Sequence, residues 1–267
     1  MIEWKATVLK MKPESIATIK ERLLTATTMS DPYVQSLLAD QRQGVQKLLT
    51  QLEKRLTKAQ ALKDKYSAMQ VFERACYAQG HRLVAGIDEV GRGPLAGPVV
   101  SAAVILPENC EILGLNDSKQ LSEKKRDALA EEIKAQAVAI GIGIISPEEI
   151  DRVNIYQASK QAMIQAVARL SVQPDHLLID AMQLDLPLPQ EKIIKGDARS
   201  VSIAAASIIA KVCRDQMMKD YHARYPYYGF DKNAGYGTKA HLDGLAEHGI
   251  TPIHRKTFAP VKKYLDS

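Results

Sequence analysis

Apolar positions in the first third of the chain recur at helical spacing. Within residues 34–70, Leu37, Leu38, Val45, Leu48, Leu49 and Leu52 form a rough stripe in a run rich in Leu, Lys, Gln and Ala. Pro13 and Glu14 can open a shorter helix through Thr25. Residues 1–78 therefore read as an amphipathic helical extension with little turn punctuation, broken by Gly80 and His81. Beyond them the pattern changes to Gly, Val, Ile and Ala runs that alternate with helical periods. It predicts strands over 83–89, 98–106, 138–145, 176–180 and 191–195, and helices over 123–137, 147–170, 199–224 and 239–248. That order specifies an α/β domain over residues 79–267. Local chemistry supports several boundaries. Ser146-Pro147-Glu148-Glu149 is a capping box with proline at the first helical position, Pro226 stops the long helix, and Thr238 can cap a helix that closes at Gly249.

With 267 residues, 46% hydrophobic and 25% charged, the chain has room for one substantial domain and a smaller one. The longest nearly uncharged stretches, residues 98–107 and 200–210, are about half the length of a membrane span, so no membrane span is expected. The first ten residues lack an apolar signal core and a small-residue cleavage pattern, which predicts a cytoplasmic protein. Cys76, Cys110 and Cys213 are odd in number, far apart and without CxxC spacing; they suit a reducing compartment and argue against zinc or a disulfide framework. Residues 1–80 hold 13 Lys or Arg against 8 Asp or Glu, and the rest is balanced at 23 against 23, so the whole net charge of +5 sits in the front segment. A polyanion would feel that excess, although a solvated basic helix surface accounts for it as well.

Candidate chemistry concentrates on acids. Residues 86–93 read GIDEVGRG, placing Asp88 and Glu89 at the end of an apolar strand, before a glycine-arginine-glycine turn. Neighbours in a strand point to opposite faces, so for both acids to act on one ligand the backbone is expected to twist or bulge there, a path that Gly91 and Gly93 permit. Asp180 ends the run HLLI, and Asp197 follows IIKG. Each acid alone is an ordinary strand-end turn residue. Four at the ends of strands in one sheet would repel one another unless cations neutralise them, and hard divalent cations take oxygen ligands. The six histidines show no metal-ligand spacing and read as surface or packing residues, most tyrosines near the end of the long helix read as packing, and Arg255-Lys256 with Lys262-Lys263 reads first as solvated charge and second as phosphate contact. Two other functions stay open on these residues. A glycosidase would need two carboxyls of separated pKa, and a nucleic-acid-binding adaptor would use the basic front segment without metal.

Six segments share a further property. GIDEVGRGPLAGPVV from residue 86, DSKQLS at 117–122, LLIDAM at 177–182, KGDARS at 195–200, AKVCRD at 210–215 and GYGTKAH at 235–241 together resemble the bacterial ribonuclease HII family, over residues 82–261 and in the same order. The related ribonuclease HIII has a different turn after its acids, so Arg92 between two glycines favours HII; the same turn argues against a resolvase or transposase on this fold. The resemblance implies a ribonuclease H-like mixed sheet flanked by helices, preceded here by the helical extension. It implies a monomeric endoribonuclease that hydrolyses the RNA strand of RNA/DNA hybrids and incises duplex DNA at embedded ribonucleotides, giving 5′-phosphate and 3′-hydroxyl ends. Asp88, Glu89, Asp180 and Asp197 match the family's catalytic and metal-binding acids, which would hold two Mg2+ or Mn2+ ions about 4 Å apart. Gly91, Arg92 and Gly93 would present backbone groups to the ribose 2′-hydroxyl, Tyr236 would pack on that nucleotide, and Lys119 and Lys239 would contact phosphate.

Overall fold

The computed structural model describes residues 14–265. Pro13, expected to open the first helix, lies outside them with the rest of residues 1–13 and 266–267. The chain divides into two compact units between Asp64 and Lys65.

The first unit holds α1 (Ile16–Leu24), α2 (Pro32–Leu37) and most of α3 (Gln43–Met69). Ser15 caps α1 by accepting from the Thr18 amide at 3.1 Å, and Asp31 caps α2 by accepting from that of Tyr33 at 2.8 Å. Ile19, Leu23, Val34, Leu37, Val45, Leu49 and Leu52 form its core. The continuous helix expected over 34–70 is interrupted before Gln43, where Asp40 accepts from the Arg42 amide at 2.9 Å and from its guanidinium. An aspartate that bonds backbone two residues ahead offers the chain a turn in place of a helical rung. Leu38, expected in the apolar stripe, falls at that break and is exposed.

The second unit contains α4 (Val71–Ala78) and a five-stranded sheet: β1 (Val84–Val90), β2 (Val99–Ile105), β3 (Ala139–Ile145), β4 (His176–Asp180) and β5 (Gln190–Ile193), in spatial order β3-β2-β1-β4-β5. β1 is antiparallel to β2, as β2 is to β3, whereas β4 runs parallel to both β1 and β5. The sheet is therefore mixed. All seven residues of β2 are buried, because helices cover both of its faces. The helices are α5 (Glu123–Gln136), α6 (Pro147–Val153), α7 (Ile155–Ala168), α8 (Val201–Arg224), α9 (Phe230–Asn233), α10 (Lys239–His248) and α11 (Ala259–Lys262). Val100, Ala102 and Val104 pack with Ile208 of α8 and Leu129 and Ile133 of α5, and Ala85, Ile87, Ala103 and Ile105 pack on the other face with Met163 and Ala166 of α7. α8 lies so close to β1 that a Cβ at Gly86 would overlap the Ser202 backbone.

Three expectations change. β1 has no bulge at its acids: pairing with β2 is unbroken from Ala85↔Ile105 to Val90↔Val100, each residue keeps a ladder partner, and the chain turns only at Gly91 (φ +92°). The expected helical stretch over 147–170 divides at Asn154, whose φ of 72° ends α6 while its side chain caps α7 by accepting from Gln157 N at 3.1 Å. The strand expected over 191–195 starts and stops earlier. It is a short edge strand with Glu191 and Lys192 exposed, and Ile194 beyond it is 56% exposed.

Candidate active site

β1 and β4 are adjacent and parallel, with Ile87 opposite Ile179, so Asp88 and Asp180 follow side by side at the carboxyl ends of two central strands. Ligand crevices in open α/β sheets form at this edge. Asp88 is 6% exposed, and its Oδ1 accepts from the Glu89 amide at 2.7 Å. Asp180 Oδ1 accepts from Gly196 N at 2.7 Å. That bond draws in the 3-10 turn Gly196–Ala198, which carries Asp197 just ahead of the Ser200 cap of α8. Glu89 Oε1 lies 3.4 Å from Arg92 Nη1, and its carboxyl interacts with Asp88, Asp180 and Lys119. Its Oε2 is buried with no hydrogen-bond partner among the described residues.

Burial raises the pKa of all four carboxyls, and mutual repulsion adds to it. Asp88 is pushed well up by desolvation, then by Glu89 and Asp180, against hydrogen bonds from Ser207 and the Glu89 amide. Desolvation raises Glu89, with Asp180 adding to it while Arg92 works against it. Desolvation raises Asp180 in the face of the Gly196 amide and Lys119, and raises Asp197, where Asp117 and Asp180 add to it. Asp117 is thus a fifth acid of the site, one that sequence reasoning passed over. It heads the DSK motif, read only for Lys119, and it follows a loop and not an apolar strand, so no strand-end signal marks it. Its Oδ1 accepts from Lys119 N at 3.0 Å.

Among the described residues, no three His, Cys, Asp or Glu side chains already stand as a set able to hold a metal ion. The donor chemistry nevertheless fits a hard divalent cation: the acids offer only carboxylate oxygens, they raise one another's pKa, and Glu89 Oε2 is buried without a partner.

Beside the acids lies the glycine turn. A Cβ at Gly91 would overlap the Arg214 guanidinium, and one at Gly93 would come within 3.3 Å of the Tyr236 ring. Tyr236 is 48% exposed, and Leu95 N donates to Gly235 O at 2.8 Å, joining the two loops. Two buried arginines support them. Arg255 donates to the carbonyls of Gly91, Arg92 and Gly97, and Arg214 to those of Ala96, Pro98 and Ala234. Arg255 is therefore not the solvated tail charge expected from sequence; three carbonyls that face inward need its fork of donors. With its carbonyls held inward, the turn leaves the Arg92 and Gly93 amides without a protein acceptor among the described residues.

Of the two expected lysines, one belongs to this group. Burial alone would lower the pKa of Lys119, but Asp117, Asp88 and Asp197 carry it above its ordinary value. Lys239 does not join it: its side chain is 90% exposed and pairs with Asp243 one turn along α10, at 2.7 Å. Among the described residues, no helix is long and apolar enough to cross a membrane.

Comparison with known proteins shows the family of the chain. The family model described as Ribonuclease HII matches residues 85–261, and that described as Ribonuclease HII N-terminal domain matches residues 15–77. Ribonuclease HII of Enterococcus faecalis is 60% identical over 252 residues, covering 94% of this chain and 99% of that protein. The ribonuclease H2 of Pyrococcus horikoshii superposes with a TM-score of 0.62 at 26% identity, over 68% of this chain and 97% of that one. Bst-RNase HIII in complex with Mn2+ shares the fold, with a TM-score of 0.53 at 21% identity over 72% of each chain. A family match over most of the chain, a relative matched almost end to end and a shared sheet together place this hydrolase in the ribonuclease HII family.

Proposed function

We propose that the chain is an endoribonuclease that hydrolyses the RNA strand of RNA/DNA hybrids and incises duplex DNA at embedded ribonucleotides, leaving 5′-phosphate and 3′-hydroxyl ends. One observation carries this reading: a cluster of raised carboxyls at the ends of β1 and β4 lies beside a turn whose Arg92 and Gly93 amides have no acceptor among the described residues and, with the neighbouring Tyr236 ring, suit a sugar hydroxyl. Membership of a hydrolase family removes the adaptor reading, and five interacting acids do not suit a glycosidase.

Asp88, Glu89, Asp180 and Asp197 would hold two Mg2+ or Mn2+ ions. Such ions, when bound, supply a more acidic water and Lewis-acid stabilisation of a phosphodiester undergoing in-line attack. The protein's own groups do the rest. Arg92 and Lys119 bring positive charge to the cluster and can steady the phosphate. The Arg92 and Gly93 amides can meet the 2′-hydroxyl, and the Tyr236 ring beside Gly93 can fix the sugar, so that a deoxynucleotide leaves those groups unsatisfied. Lys239 would act only as an outlying phosphate contact. Residues 79–267 carry this chemistry as a monomer, and the basic extension of residues 1–78 adds affinity for the duplex.

The test is a duplex with one embedded ribonucleotide, incubated with Mg2+, with Mn2+ and with chelator. A single cut beside the ribonucleotide, present with either ion and absent with chelator, is expected. Cutting in chelator, or equal cutting of an all-DNA duplex, rejects the reading.

A further inference from the structure

Behind the Tyr236 turn lie two buried histidines that no part of the proposed chemistry uses. His241, in the first turn of α10, and His254 face each other with their Nε2 atoms 2.9 Å apart. Their remaining partners decide which nitrogens hold protons. His254 Nδ1 lies 2.9 Å from Thr251 N and 2.8 Å from Thr251 Oγ1; the amide can only donate and the hydroxyl can donate as well, so Nδ1 accepts and the His254 proton sits on Nε2. His254 Nε2 then donates to His241 Nε2, which leaves the His241 proton on Nδ1. That atom lies 3.0 Å from the Tyr236 carbonyl oxygen, which can only accept. A one-way chain of hydrogen bonds thus runs from Thr251 N–H through His254 and His241 to Tyr236 O, and it closes only with both rings neutral.

The surroundings enforce that arrangement. Burial lowers the pKa of both rings, that of His254 to about 4. Phe230 stands edge-on to His241 with ring centroids 5.1 Å apart, and Tyr228 stands against His254 at 5.0 Å, so aromatic rings flank both imidazoles. His254 also bridges Ala96, and the next residue, Arg255, holds the carbonyls of Gly91, Arg92 and Gly97. One short segment, residues 251–255, therefore supports both sides of the nucleotide-facing surface.

We infer that His241 and His254 are positioning residues for ribonucleotide selection: through the Tyr236 carbonyl they hold the Tyr236 ring in register with the Gly91-Arg92-Gly93 turn. This rests on the reading of Tyr236 and that turn as the face that recognises the 2′-hydroxyl.

The readout is the ratio of single-turnover cleavage rates, single embedded ribonucleotide over long RNA/DNA hybrid, measured on the full chain. A long hybrid offers a 2′-hydroxyl in every register and so tolerates a displaced ring better. His241→Leu removes one of the two bonds to Tyr236 O, leaving that from Thr238 N, and should lower the ratio several-fold, the scale of one hydrogen bond. In His241→Asn the side-chain amide can replace Nδ1–H, and most of the ratio should return. Added to Tyr236→Ala, His241→Leu should change the ratio no further, since it acts through that residue. If Tyr236→Ala lowers the ratio and His241→Leu does not, or if their effects add, the positioning role is overturned alone. If Tyr236→Ala itself leaves the ratio unchanged, the recognition reading fails and the inference with it. Should His241→Leu not fold, 15N NMR of the wild-type rings decides: protons on His254 Nε2 and His241 Nδ1 are required, and a proton on His241 Nε2 rejects the chain.

Discussion

Asp88 is buried at the end of β1, and desolvation, Glu89 and Asp180 in that order push its pKa up. The sign for stability follows. An unfolded aspartate loses its proton near pH 4, whereas the folded carboxyl keeps it to higher pH, so metal-free stability declines as pH rises between those two values. Asp88→Asn removes that decline. The variant should melt higher than wild type in chelator, by a margin that widens from pH 4.5 to 7.5, while cleavage in Mg2+ disappears; wild-type cleavage by the variant would take Asp88 out of the metal-binding set. Arg255 gives the opposite kind of prediction. Its guanidinium serves three inward carbonyls, and the single ammonium of Arg255→Lys cannot, leaving at least one buried acceptor unmet at about 1–3 kcal/mol. The melting temperature should fall, and single-ribonucleotide cleavage should fall further than hybrid cleavage. The acids were legible because each of the four follows an apolar run. Arg255 was not, since a basic residue that bonds only backbone carbonyls has no partner visible in sequence.

At the scale of elements, the strand and helix periods were legible wherever one face is buried. What the periods could not show were interruptions made by single polar side chains, at Asp40 and Asn154, where a local hydrogen bond outcompetes a helical rung. The same chemistry joins α4 to α8 across a long sequence separation. Glu73 is 3% exposed and accepts from Ser200 Oγ at 2.5 Å, from Ser202 N at 3.0 Å and from Ser202 Oγ, at the start of the helix that follows Asp197. Its negative charge also suits a helix N-terminus. Glu73→Ala should therefore destabilise the fold by about 2–4 kcal/mol, as charged hydrogen bonds are lost and buried hydroxyls left unpaired. Equal denaturant midpoints for the variant and wild type would show that solvent or rotamer changes satisfy the α8 terminus without it.

For the whole molecule, charge and compactness set different boundaries. The basic excess lies in residues 1–80, yet Tyr66 and Met69 pack into the core of the second unit, Tyr66 Oη donates to Cys110 O at 2.8 Å, and Glu73 braces α8. A truncation meant to remove only the extension must stop at Asp64, where the compact units divide. Residues 1–64 hold 11 Lys or Arg against 7 Asp or Glu, most of the excess. A chain beginning at Lys65 should fold, keep its cut position, bind duplex more weakly and show a flatter dependence of log affinity on log salt. An unchanged salt slope would show that the extension does not touch nucleic acid.

The parallel pairing of β1 with β4 also bears on the order in which the protein is made. β1, β2 and β3 pair as a meander from residues close in sequence, whereas β4 reaches β1 only after the whole crossover through α5, α6 and α7. A nascent chain that has formed its first three strands carries Asp88 and Glu89 but lacks Asp180 and Asp197, and Tyr236 follows later still. Assembled in that sequence, the cluster of carboxyls that raise one another's pKa is complete only once Asp197 has left the ribosome.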